Sequence, residues 1–403
     1  MQLKGSLVQK AAVLYLILWT ISPPLGIDMI YRYLALGCVG IWALITVGRG
    51  YYRNGIKREQ FYAIYFAVAV VLIAFLQSGT LNGILQQIGT YMLVISFLMY
   101  SFYREGHWQE LNGIVPIVLL LLAVFNHITA EVLQENPQIA RSIVRADEAT
   151  YAYIRQGVGG YGLIYSQVCI SSGIAAWTLS AFRKNKICFA IGCVWAYTFA
   201  RYLIHAGYSI AVFASAVGLI MLLVYRRKNV LAAILLAVGV LIASIAALLY
   251  WDAFRALLLE IFDGTKVAAK INDLLVTSET GVAEDSIQGR IDAYAYSLEV
   301  IGKYPFIGGL WMAGGGGHSA ILDTIAKYGV FGGYIYIKMI FAAPNTYKKT
   351  YENPKIYRIS NAVIVSILFV ALLNSLTYEF MCMLLLVLPM LYEDIIKWEN
   401  IEE

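Results

Sequence analysis

Apolar residues along this chain gather into long runs separated by short polar connections. The runs are Ala11–Ile21, Tyr33–Val47, Phe61–Leu76, Ile84–Tyr103, Ile114–Phe125, Tyr161–Phe182, Ile187–Ile204, Tyr208–Tyr225, Val230–Tyr250, Val330–Ala343, Ile359–Leu373 and Leu376–Leu391. A helix needs about 20 residues to cross the hydrocarbon core of a bilayer, and tilt or flanking residues make up shorter runs. Backbone polar groups must be paired inside hydrocarbon, so these runs predict helices. A membrane β-barrel would show short segments alternating apolar and polar residues, which this pattern lacks. The expected fold is an all-α polytopic membrane protein, one transmembrane domain over 1–403, with about twelve transmembrane helices. The first run is short and meets Pro23-Pro24, which predicts a kink or a partly re-entrant segment.

Basic residues orient the runs. Arg49, Arg53, Lys57 and Arg58 fill one connection, Arg183, Lys184 and Lys186 another, Arg226, Arg227 and Lys228 a third, and Lys348, Lys349, Lys355 and Arg358 a fourth. All of them fall on one side if every run crosses once and the N-terminus is cytoplasmic, so the positive-inside rule predicts an N-in, C-in topology. Met1 to Lys10 is short and basic and leads into the first run without a small-residue cleavage site, the pattern of a signal anchor. No internal repeat of the kind found in inverted-repeat transporters is evident.

Two connections are long, and both fall on the non-cytoplasmic side: a medium loop, 127–160, and a long loop, 251–327. Long connections in compact proteins are functional or disordered, and helical patterning inside these favours function. Ile287, Ile291, Tyr294, Leu298 and Ile301 repeat at helical spacing, with Asp285 or Ser286 placed to cap the helix and Lys303-Tyr304-Pro305 to end it.

Composition agrees. Hydrophobic residues make up 60% of the 403, charged residues 14%, and mean hydropathy is +0.69, against roughly 45–50% apolar and 25% charged in soluble domains. The five cysteines, Cys38, Cys169, Cys188, Cys193 and Cys382, all lie in apolar runs, which suits packing rather than disulfides or metal binding. The net charge of +5 reflects topology and gives no reason to invoke nucleic acid.

Candidate chemistry lies in the outward loops. Cations are depleted there by the topology rule, yet the medium loop carries Arg141, Arg145 and Arg155 and the long loop Arg255 and Arg290. Guanidinium groups bind phosphate through paired, charge-assisted hydrogen bonds. Each could equally pair with Asp147, Glu148, Glu284 or Asp285 or face water. Arg201 and His205 share an outward turn where they could line a cavity. His107 and His127 read as structural. His318 follows Gly314-Gly-Gly-Gly317, and an imidazole beside backbone that turns freely could take a proton from a sugar hydroxyl. The glycine run lacks the Lys-Ser/Thr that completes a P-loop, and no spacing suggests a metal site.

Gly289-Arg290-Ile-Asp-Ala-Tyr, Tyr304-Pro305-Phe-Ile-Gly308-Gly309, Gly317-His318-Ser319, Leu322 and Lys327-Tyr-Gly329-Val-Phe-Gly332, in that order, resemble the O-antigen polymerase and ligase superfamily. The resemblance covers about 289 to 333 and extends to the topology, with many spans and a large late outward loop. The family's usual His-Asn is His-Ser here, a variant similar to polymerases of capsular and exopolysaccharide clusters. The family's Ser-Arg pair opening a middle span is also absent; Tyr208-Ser209 stands there and the arginine is displaced to Arg201.

The resemblance implies a glycosyltransferase of the bacterial cell membrane, its active site facing outside the cytoplasm, that polymerises an undecaprenyl-pyrophosphate-linked oligosaccharide without a cofactor or metal. It implies that Arg290 holds the pyrophosphate, helped by Arg141, Arg145, Arg155, Arg201 and Arg255, and that His318 activates the acceptor hydroxyl. Asp323, Glu379 and His205 are candidates for tuning the site. A chain-length regulator and a flippase are candidate partners beside the membrane lipid. A ligase moving the finished glycan to another acceptor uses the same donor chemistry. A transporter or flippase of the lipid-linked unit would instead place its charges within the spans, and a scaffold or sensor would need no such site.

Overall fold

The computed structural model describes residues 2–53, 55–78, 87–136, 139, 143, 148–226, 260, 285–309, 315–351 and 353–400. Regular structure among them is entirely helical: α1 (Gln2–Ile21), α2 (Pro23–Ile27), α3 (Met29–Gly48), α4 (Arg58–Ser78), α5 (Ile88–Tyr103), α6 (Ile114–Glu135), α7 (Glu148–Arg155) and α8 (Tyr161–Lys184). There follow α9 (Lys186–Ala206), α10 (Ser209–Arg226), α11 (Asp285–Lys303), α12 (Ala320–Ile340), α13 (Ala342–Thr350), α14 (Pro354–Leu373), α15 (Tyr378–Cys382) and α16 (Leu388–Glu399). A 3₁₀ turn, Trp108–Leu111, precedes α6, and a π-helical turn, Met383–Val387, joins α15 to α16.

Each expected apolar run except Val230–Tyr250, which lies outside the described residues, carries a described helix over most of its length. Among the described residues six helices are long and apolar enough to cross a membrane: α3, α4, α6, α8, α9 and α14. Shorter apolar stretches lie in α1, α5 and α10. The protein is therefore a membrane-embedded helical bundle. Local chemistry sets the helix boundaries. Asn185 accepts from the Cys188 N–H at 3.1 Å to open α9, and Asn353 accepts from the Lys355 N–H at 2.8 Å ahead of Pro354. After Ile21 the chain breaks at Ser22, and Pro23–Ile27 forms a separate turn before α3, so the proline pair ends α1 instead of kinking a span.

The centre and the periphery differ in what surrounds the helices. In α8, 83% of the apolar window is buried inside the protein, against 17% in α3. α8 is the hub, packing on α9, α10, α14 and α16, while α3 and α4 turn Leu34, Leu44, Phe61 and Leu72 outward as lipid-facing residues do. Lipid tails are as apolar as leucine, so helices in membranes associate through close packing and hydrogen bonds. Both occur around α8. Gln167 exchanges hydrogen bonds with Asn126 at 2.8 Å and accepts from Trp195 Nε1 at 2.8 Å. Gly173 lies against Leu388, Gly192 against Thr178 and Gly218 against Ser366.

Helix ends gather at two faces of the bundle, marked by the two ends of α3. At its C-terminal end Arg49 pairs with Glu110 at 2.6 Å, Lys10 donates to the Asn112 carbonyl, Lys57 pairs with Glu105, and Arg104 with Glu59 at 3.2 Å. The guanidinium of Arg49 holds the Glu110 carboxyl below its usual pKa. α16 packs on the 3₁₀ turn at this face, and Lys355 meets Glu399 at 2.8 Å. At the N-terminal end of α3, α2 packs against α7, and Arg155 lies 3.8 Å from Asp28.

Candidate functional site

Three chain segments converge at the C-terminal end of α14. That helix stops at Leu373 and leaves carbonyls without intrahelical partners. Arg290 Nη1 donates to the Leu373 carbonyl at 3.0 Å, and the Tyr294 hydroxyl donates to the same oxygen at 3.3 Å. The segment preceding α12 ties to the next residues: the Ala320 N–H donates to the Asn374 carbonyl at 2.9 Å, and the Ser375 hydroxyl to the Gly317 carbonyl at 2.6 Å. The Ser319 hydroxyl reaches the Ala371 carbonyl at 3.3 Å while also capping α12 through the Leu322 N–H at 3.2 Å. Arg290 and the residues flanking His318 thus rest on one short strip, 371–375.

Asp323 fixes the His318 segment. It accepts from the Ser319 N–H at 3.0 Å and from the Ser297 hydroxyl at 2.7 Å; Ser297 in turn accepts from the Gly316 N–H at 2.8 Å. A Cβ on Gly315 would overlap Asp323, and one on Gly316 would overlap the backbone of Ala293. Glycine is therefore required here for close approach to α11 and α12, a correction to the expectation of a freely turning run; Gly317, at φ +86°, does need glycine's freedom. Gly314 lies outside the described residues.

The packing of α11 also departs from its hydrophobic pattern. Ile291 and Leu298 are 51% and 55% exposed, whereas Ser297 and Val300 are buried and Arg290 and Tyr294 turn to α14. The face that docks on the bundle is the polar one, Arg290–Tyr294–Ser297, at i, i+4, i+7. Ile291 and Leu298 point away, as suits a helix lying against lipid.

Electrostatics follow from these positions. Among the described residues no carboxylate lies within ion-pair distance of Arg290, whose one described hydrogen bond engages one of five N–H donors. His318 is half-buried, and burial together with the Arg290 charge lowers its pKa below the ordinary 6.5, while Asp323 acts in the opposite direction. A neutral imidazole beside an under-compensated guanidinium is an arrangement that can accept a proton and hold an anion. Tyr161, Tyr165 and Tyr208 form an aromatic cluster nearby, with Tyr161 and Tyr165 centroids 4.4 Å apart and the Tyr161 hydroxyl 3.4 Å from the Ser375 carbonyl.

The other candidates are placed differently. Arg201 pairs with Glu131 at 2.6 Å and donates to Gln134 at 3.1 Å, and His127 lies 3.7 Å from Glu131. With His205 on the last turn of α9, these form a separate cluster at the ends of α6 and α9. Arg155 sits in α7, exposed and beside Asp28, a partner absent from the acids weighed in the sequence. Arg141, Arg145 and Arg255 lie outside the described residues. Glu379 is half-buried on α15 against Gly162, with one buried carboxyl oxygen lacking a described partner, and no described contact couples it to His318. Among the described residues no three His, Cys, Asp or Glu side chains are grouped to hold a metal ion.

Sequence reading missed Ser297, Ser375 and the tyrosine cluster, and placed Tyr294 in the apolar stripe of α11. Ser297 was accessible: with Arg290 and Tyr294 it forms a stripe at helical spacing. No protein-family model matches the chain, and no curated protein matches it significantly.

Proposed function

We propose that the protein is a polysaccharide polymerase that joins polyprenyl-pyrophosphate-linked oligosaccharide repeat units at the outer face of a bacterial cell membrane. The observation that carries this reading is the seating of Arg290 and of the residues flanking His318 on one strip, 371–375, with no carboxylate beside the guanidinium among the described residues. It joins the ordered resemblance of residues 289–333 to polymerases of lipid-linked glycans. In this reading the bundle has about twelve spans, N-in and C-in, and the face bearing Arg290 and His318 is extracytoplasmic.

The chemistry is a displacement at the anomeric carbon. An acceptor hydroxyl attacks that carbon, a glycosidic C–O bond forms, and the bond from the anomeric carbon to the pyrophosphate oxygen breaks. The hydroxyl proton passes to neutral His318, and the lipid pyrophosphate leaves with the bonding electron pair. Arg290 stabilises the charge growing on that leaving group, an effect strongest where water is excluded. Asp323 and Ser297 position His318 by holding residues 316–319. The tyrosine cluster offers rings on which a sugar can stack.

Cells lacking the chain should accumulate single lipid-linked repeat units, and complementation with His318→Ala should leave that accumulation in place at normal protein levels. Long lipid-linked chains in the deletion strain would instead identify a ligase, and normal polymer in the His318→Ala strain would overturn the assignment.

A further inference from the structure

Beside the His318 segment lies a cavity of about 280 Å³, lined by Gln87, Thr90, Gly317, Asp323, Thr324 and Lys327 among others. Its chemistry differs from that around Arg290: amide and hydroxyl groups and the Asp323 carboxylate surround one ammonium. Lys327 is half-buried; its Nζ donates to Gln87 Oε1 at 2.8 Å and lies 5.3 Å from the Tyr328 ring centroid. Among the described residues no carboxylate is within ion-pair distance. Asp323, one turn away, also lines the cavity, but its two oxygens already accept from Ser297 and Ser319.

The backbone bearing Lys327 is held firmly. The Gly309 N–H donates to the Ala326 carbonyl at 2.7 Å and the Val330 N–H to the Pro305 carbonyl at 2.8 Å. Gly308, at φ +74°, lies so close to the Lys327 carbonyl that no Cβ would fit. A cation fixed in a partly buried, polar cavity with only neutral described partners is costly unless an anion joins it.

We propose that this cavity is an anion subsite separate from Arg290, which takes the carboxylate of an acidic sugar in the repeat unit on Lys327 and its hydroxyls on Gln87, Thr90 and Thr324. The proposal rests on the polymerase reading only for why a glycan reaches the cavity. A carboxylate and a lipid pyrophosphate share the needed charge, but the doubly charged pyrophosphate would face Asp323 more severely than a single carboxylate does.

The purified full-length protein in detergent is titrated with a glucuronate-containing disaccharide, its neutral glucose counterpart and farnesyl pyrophosphate. The acidic disaccharide should bind about 10-fold more tightly than the neutral one, the worth of one charged hydrogen bond. Lys327→Met should abolish that preference, Lys327→Arg should retain it, and both variants should keep the wild-type melting temperature. An absent preference in the wild type, or one surviving in Lys327→Met, would overturn the proposal. So would a Lys327→Met variant that loses farnesyl pyrophosphate while keeping the acidic disaccharide, since Lys327 would then belong to the donor site. Arg290→Ala tests the polymerase reading separately: it should weaken farnesyl pyrophosphate and leave the acidic disaccharide unaffected.

Discussion

The face of the bundle at Arg49 and the face at Arg290 handle their cations differently. At the first, Arg49, Lys57, Arg104 and Lys355 each meet a carboxylate, while Arg58 and Lys348 donate to the Tyr62 hydroxyl and the Asn361 amide. At the second, Arg155 and Arg201 do so as well, but Arg290 rests on a helix-end carbonyl and Lys327 on an amide. Pairing makes a cation structural, whereas a neutral anchor fixes the side chain and leaves most of its charge for something else. If the Arg49 face is the cytoplasmic one, as proposed, the topology rule sharpens the contrast, because basic residues are abundant there for reasons of insertion alone. On the opposite face a cation with neutral partners calls for a ligand.

The contrast breaks first at Arg290. Arg290→Ala should reduce chain extension roughly 100-fold or more if the guanidinium stabilises the leaving group, measured as polymer formed per protein molecule. A variant with normal turnover would reduce Arg290 to a cap on α14. Asp323→Asn comes next, with a loss on the order of 10-fold, since Asn leaves an amide facing the donors that Asp323 accepts from. Its pH profile is the sharper readout. If His318 is the neutral base proposed, with a pKa lowered from the ordinary 6.5, activity should be flat above that pKa and fall as pH drops through it. Asp323 acts to raise this pKa; removing its charge should move the acid limb to lower pH, and Arg290→Gln should move the histidine's titration, followed by NMR, to higher pH.

Gly329→Ala probes the frame. Gly329 has φ 70° and ψ −179° inside α12, and a Cβ there would overlap the Phe306 carbonyl. A side chain there should cost about 1–3 kcal/mol from backbone strain alone, read as a lower melting temperature in detergent. The smallest effect belongs to Arg201→Ala. Its ion pair with Glu131 is a peripheral one of the kind that contributes little, so chain extension should stay near wild type. A large loss would erase the distinction between paired and neutrally anchored arginines.

Much of the bundle was legible because bilayer thickness imposes a length on every span, and that length survives in composition. Pro305 and Gly329, spaced far apart in the sequence pattern, meet through the Val330 N–H and the Pro305 carbonyl. What failed was the reading of faces. In a soluble protein the Ile291 and Leu298 side of α11 would be the buried one; against a bilayer that side can point outward, and the polar Arg290–Ser297 side docks instead. Lys327 read as the start of a glycine-rich entry to a span. Its significance depends on Gln87, 240 residues earlier, a contact that no local spacing encodes. The tyrosine cluster was hidden for the same reason, since Tyr161 and Tyr208 belong to different spans and meet only after packing.

The most direct test of the account is chain extension by the purified protein given a defined polyprenyl-pyrophosphate-linked repeat unit, with products separated by length. The account predicts glycans of several repeats and one free polyprenyl pyrophosphate released for every linkage formed, both lost in Arg290→Ala and in His318→Ala. Repeat units that remain single with the wild-type protein, or glycans that lengthen equally well in both variants, would contradict it.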